Sequence, residues 1–195
     1  LPVKYAAHHD MDKNSALDKL TQQMKQKVGQ LEWYCLDYWS EITSLPIASL
    51  KADIKHKIQF RPHVPDFLKA LKLAGKRSVI VTNAHRDSVD LKIEYTGLDK
   101  MVDRIISSHD YQYAKEDQAF WQCLMEDEQF DMERTVLIDD SLAVLESAKK
   151  FGFKHLLSIC QPDSQKPKRE LTDFNSIDQF SDIMPAARIS VDRDE

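Results

Sequence analysis

Four side chains suited to phosphate chemistry occur in the order Thr82, Lys115, Asp139, Asp140, each at the end of an apolar run or just ahead of a helical pattern. In "RTVLIDDSLAVLESA" (134–148), Val136-Leu137-Ile138 stops at two adjacent carboxylates, followed by Ser141 and a helix-like segment. Neighbouring acids repel each other and are costly to desolvate, so their place at the mouth of a buried strand calls for a counter-charge. Carboxylates suit Mg2+, a hard cation that keeps several waters and bridges to substrate phosphate. A lysine ammonium offsets phosphate charge, while a threonine hydroxyl and nearby backbone N–H groups donate to phosphate oxygens. One acid can hold the ion while the other orients a coordinated water. The bland reading of Asp139-Asp140-Ser141 is helix capping, because acids and serine both favour a helix N-terminus.

These groups must be positioned by strands and helices. Residues 64–75 have Pro65 near a helix start and Gly75 as a stop, with Phe67, Leu68 and Leu71 on one face. "RSVIVT" (77–82), "RIISS" (104–108), "RTVLID" (134–139) and "KHLLSI" (154–159) read as strands. Helical segments follow over 85–95, 116–128 and from Ser141 to Gly152, with a last one expected over 176–184. Apolar runs without period-two alternation, alternating with helices, indicate an α/β fold: a Rossmann-like parallel sheet with helices on both faces. Ligands of such sheets bind at the carboxyl ends of the strands. Thr82, Asn83, His85, Lys115, Asp139 and Asp140 are therefore expected on one rim, with His85 at the substrate mouth.

The first 57 residues read differently, as helices only. Leu17, Leu20, Met24 and Val28 give a helix over 14–29, capped by Asn14 or Ser15 and ended by Gly29. A second helix is expected over 31–43, broken at Pro46. Residues 1–57 are thus taken as a small all-helical cap and 58–195 as the α/β core. On the cap helix, Trp33, Tyr34 and Tyr38 fall near one face. Trp33 or Tyr38 would stack on a purine at the cap–core cleft, the alternative being packing between helices. "QPDSQKPKRELTD" (161–173) reads as a surface loop, and "RISVDRDE" (188–195) as frayed.

Composition bounds the possibilities. The 195 residues are 42% hydrophobic and 30% charged, with a net charge of −5, so no global field draws the chain to nucleic acid or acidic membranes. No apolar run approaches the roughly 20 residues of a membrane span, and the start lacks a signal pattern. Cys35, Cys123 and Cys160 are odd in number and far apart, as in a reduced, cytoplasmic protein. With only four glycines there is no Gly-rich phosphate loop. His8, His9 and Asp10 are read as a solvated loop rather than a metal cluster.

The order Thr, Lys, Asp-Asp resembles the haloacid dehalogenase (HAD) superfamily of phosphohydrolases over residues 60–160. "VIVTN" matches its second motif with Thr82, "YAKEDQ" its third with Lys115, and "LIDDS" its fourth. "WYCLDYWSE" (33–41), "TNAH" (82–85), "TGLD" (96–99), "KEDQ" (115–118) and "ERT" (133–135) further resemble its bacterial GMP/IMP nucleotidase branch. The resemblance implies Mg2+-dependent hydrolysis of a small phosphorylated substrate, a purine nucleoside monophosphate. Thr82 and Lys115 would be catalytic and substrate-binding, and Asp139 and Asp140 the metal ligands. The family's first motif, Asp-x-Asp, supplies a nucleophile that forms an aspartyl-phosphate and an acid–base that serves the leaving group. Near the start only Asp10-Met11-Asp12 has that form, and "KYAAHH" before it is no apolar strand.

The family's first strand lies centrally, between those ending at Thr82 and Asp139. Unpaired interior strands are costly, so an upstream segment carrying that strand is expected. A strand from within 1–195 in that place would remove the expectation. The other readings are a non-catalytic phosphate-binding HAD-like protein, or a HAD phosphatase or mutase on another small metabolite. A phosphorelay receiver has its acids first and lysine last, the reverse of the order here. The "DDS" argues against dehalogenation, and the chain is expected as a monomer or homodimer.

Overall fold

Caps and short amphipathic runs divide the first sixty residues into a stack of small helices. The structure, a computed structural model, describes residues 1–163, 165–169 and 173–186. Helix α1 (Pro2–His8) begins with proline, whose fixed φ suits a helix start, and buries Tyr5 and Ala6. α2 (Lys13–Lys25) packs back on it through Ala16 and Leu20. Its cap is Asp12, which accepts from the backbone N–H groups of Asn14 and Ser15 at 3.0 Å, and not Asn14 or Ser15 themselves. The helix also stops short of Gly29.

The helix expected over 31–43 is two. α3 (Leu31–Tyr34) and α4 (Leu36–Thr43) meet at Cys35, whose extended backbone ends one while its sulfur accepts the Tyr38 N–H to cap the other. α5 (Ile47–Ala52) follows Pro46 and packs Ile47 on Leu36 and Trp39. A 3-10 turn covers Lys55–Lys57.

The α/β part then runs α6 (Val64–Leu73), β1 (Val79–Thr82), α7 (Arg86–Thr96), β2 (Arg104–Ser107) and α8 (Ser108–Tyr111). It continues with α9 (Gln118–Glu128), β3 (Val136–Asp139), α10 (Leu142–Phe151), β4 (His155–Ile159) and β5 (Asn175–Ile177). All pairing is parallel, with Val81 opposite Ile106, Ile138 opposite Leu157, and Ser158 opposite Ser176. β5 and a 3-10 turn at Phe180–Ile183 stand where a helix over 176–184 was expected. The Phe180 ring packs on Phe67 of α6, centroids 5.2 Å apart, so tertiary contact outweighs local helical pattern there. Residues 164, 170–172 and 188–195 of the expected loop and frayed end lie outside the described residues.

The sheet is in two pieces, β1-β2 and β3-β4-β5. Among the described residues no strand joins β1 to β3. β1 is accordingly only partly buried along its length. The core gathers Ile106, Phe120, Trp121, Leu124, Leu137, Val144, Leu145, Ala148 and Phe153. Trp121 is wholly buried there and donates its indole N–H to Ser147 Oγ at 2.9 Å, so its polar edge is satisfied. No helix of the described residues is long and apolar enough to cross a membrane.

α10 ends at Gly152, at φ +126°, a conformation side chains rarely adopt, and a Cβ there would sit 3.1 Å from Met132 Sδ. Gly152→Ala should destabilise by about 1–2 kcal/mol, a fall of about 2–8 °C in Tm, read by thermal denaturation.

Candidate active site

The two half-sheets end at one rim, and a lysine spans them. Thr82 ends β1, Asp139 ends β3, and Lys115 lies in the loop before α9, pinned there because its backbone N–H donates to Asn83 Oδ1 at 2.9 Å. Lys115 is 6% exposed. Its Nζ donates to Asp139 Oδ2 at 2.5 Å and to the Val81 carbonyl at 3.3 Å, reaching β3 and β1 at once. An ammonium has three donors, so one remains for a ligand oxygen. Asp139 is equally buried, and its second oxygen accepts the Ser141 N–H at 2.9 Å.

The puzzle of adjacent acids resolves in the pleat: Asp139 turns inward to the lysine, while Asp140 is exposed and its carboxylate accepts no hydrogen bond among the described residues. Ser141 caps α10 by accepting the Val144 N–H, so the capping role and the charged rim coexist. Thr82 Oγ1 accepts the Ala84 N–H at 3.1 Å, which leaves its own proton free to donate.

A cleft of 590 Å³ opens over this rim. Thr82, Asn83, Lys115, Asp139 and Asp140 form its floor, and Trp33, Tyr34 and Trp39 belong to its helical wall. Five sequence-expected rim residues therefore meet, with Trp33 above them. Two expected site residues are elsewhere. Tyr38 packs edge-on against Trp39 and under the Lys27 ammonium, in the helical packing. His85 is the N-cap of α7; its ring stands against His109 and 3.5 Å from Asp37 of the helical wall, outside the cleft lining. His8 ends α1, and His9 meets the Thr43 carbonyl at 2.9 Å. Asp10 and Asp12 lie in the α1–α2 turn, off any strand.

Sequence reasoning missed one connection. Tyr34 donates its hydroxyl to Glu116 Oε1 at 2.6 Å, and Asn83 donates its amide to Glu116 Oε2 at 2.9 Å. Asn83 thus holds the Lys115 loop with both ends of its side chain. Burial and the neighbouring Glu116 carboxylate push the Tyr34 phenol above its ordinary value, so it stays a proton donor. "KEDQ" showed an acid beside Lys115, but nothing local shows that a tyrosine 82 positions away reaches it. Tyr34→Phe should cost about 1.5–3 kcal/mol, since it removes a hydrogen bond to a charged group. Urea unfolding reads this, and an unchanged midpoint would show that the pair is not formed in solution.

An open parallel sheet with threonine, lysine and paired aspartates at its carboxyl end defines a hydrolase class. The chain belongs to the haloacid dehalogenase-like hydrolase family, whose model matches residues 4–157. It is similar to the GMP/IMP nucleotidase YrfG of Escherichia coli K12, 34% identical over 186 residues, covering 95% of this chain and 84% of that protein. Among solved structures it resembles a HAD phosphatase from Thermococcus onnurineus, at TM-score 0.77 and 20% identity, covering 93% of this chain and 83% of that one. CbbY from Rhodobacter sphaeroides, solved with phosphate, matches at TM-score 0.55 and 20% identity, over 70% of this chain and 65% of that one.

Proposed function

We propose that this chain is the phosphate-binding body of a Mg2+-dependent phosphomonoesterase that hydrolyses purine 5′-nucleotides such as GMP and IMP. The observation that carries this reading is the buried Lys115 between Val81 and Asp139, with one donor left over, beneath an aromatic-walled cleft large enough for a nucleotide. Lys115 and the Thr82 hydroxyl hold two phosphate oxygens and offset charge as it builds up on them. Trp33 offers a ring to the base, and residues 1–57 act as the cap. The similarity to a GMP/IMP nucleotidase supports the purine class.

Exposed Asp140 and buried Asp139 are oxygen donors of the kind Mg2+ takes, so the donor set fits that ion. When bound there it would neutralise phosphate charge. The chemistry needs a nucleophilic carboxylate facing this rim. Attack there forms an aspartyl-phosphate and releases the nucleoside; water then returns the carboxylate and gives phosphate. The protein, with Mg2+, should release phosphate from GMP and IMP and trap hydroxylamine-sensitive phosphoenzyme from labelled substrate. Binding of GMP without phosphate release would instead favour a non-catalytic phosphate-binding protein.

A further inference from the structure

Cys35, His85 and His109 come from three separate elements: the break between α3 and α4, the N-cap of α7, and α8. One ligand atom from each lies within 4.8 Å of the other two. The imidazoles stand edge to face with centroids 5.0 Å apart. Among the described residues, buried His85 Nδ1 and His109 Nε2 have no hydrogen-bond partner, the Asp87 carboxylate lying 3.8 Å from His85 Nδ1. Unpartnered buried ring nitrogens are rare in folded proteins and call for an explanation. Cys35 Sγ accepts the Tyr38 N–H at the start of α4, which fixes the sulfur's place beside the two rings.

We propose that Cys35, His85 and His109 form a binding site for a zinc-class divalent cation, distinct from the oxygen-lined cleft. None of the three lines that cleft. Sulfur and imidazole donors select a borderline ion over Mg2+, which prefers oxygen. Tetrahedral zinc sets such ligand atoms about 3.3–3.6 Å apart, so side-chain adjustment alone can close the present cluster on an ion. Asp37 Oδ2, 3.5 Å from His85 Nε2, is placed to orient that ring.

The site also has a structural consequence. Cys35 adjoins Tyr34, His85 follows the Thr82-Asn83-Ala84 turn, and His109 follows Ser107, whose hydroxyl donates to the Ala84 carbonyl at 2.7 Å. A bound ion therefore fastens the helical wall to the two core turns beside the rim. The proposal stands whether or not the nucleotidase reading does.

The test uses the full chain stripped with chelator and titrated with Zn2+ or Co2+. One equivalent should bind, with a Co2+ spectrum showing thiolate charge transfer and with a raised Tm on Zn2+ addition. Cys35→Ser should lose the charge-transfer band, and His109→Gln should bind at least about tenfold more weakly. Both variants should melt cooperatively without metal. Asp140→Asn should bind zinc as the unmodified protein does, which separates this site from the cleft. Absence of the charge-transfer band in the unmodified protein overturns the proposal. So does zinc affinity unchanged in both Cys35→Ser and His109→Gln, or zinc binding lost in Asp140→Asn alone.

Discussion

Lys115→Ala is expected to lower the rate of phosphate release by about 10²–10³-fold, the usual loss when one preorganised donor to a developing charge is removed. The same substitution should destabilise the fold by about 3–5 kcal/mol, because it leaves Asp139 buried beside no cation. Both effects follow from one geometry: an ammonium 2.5 Å from Asp139, 3.3 Å from the Val81 carbonyl, and almost wholly out of water. Steady-state kinetics and urea unfolding check them separately. Adding Asp139→Asn to Lys115→Ala should recover much of the stability, since the orphaned charge is gone, and none of the rate. A Lys115→Ala protein with unchanged kinetics would show that the rim does not hold phosphate.

Asp140→Asn is expected to raise the Mg2+ concentration for half-maximal activity by about 10–100-fold while leaving stability within about 0.5 kcal/mol. The asymmetry comes from exposure: among the described residues Asp140 supports no hydrogen bond through its carboxylate, so its loss should be felt by a bound cation and not by the fold. Metal titration of activity, paired with thermal melting, separates the two effects. A fall in Tm comparable to that of Lys115→Ala would mean that Asp140 is structural.

The strands were legible because parallel strands covered on both faces are written as short β-branched runs; "VIVT", "RIIS", "VLID" and "HLLSI" all form where expected, trimmed at their ends. The rim was legible for the same reason: strand ends place their next residues at the mouth. Cys35 hid a helix break, because a sulfur that caps a helix has no strong local signature. β5 was misread as helix, because its pairing with β4 is set by a partner strand and not by its own pattern. His85 was placed at the mouth by its nearness in sequence to Thr82; the structure sets it against His109 and Asp37, beside the cleft and not in its lining. The Tyr34–Glu116–Asn83 connection was invisible because it joins segments distant in the chain.

That connection makes the helical wall and the phosphate floor two ends of one lever. Glu116 receives Tyr34 from above and Asn83 from below, and Asn83 also seats Lys115. A ligand that props Tyr34 away from Glu116 loosens the loop that presents the ammonium. By reciprocity, a phosphate that seats the ammonium firmly favours the closed wall. Discrimination against an oversized base would then surface as poor grip on its phosphate, at the end of the molecule that the misfit never touches.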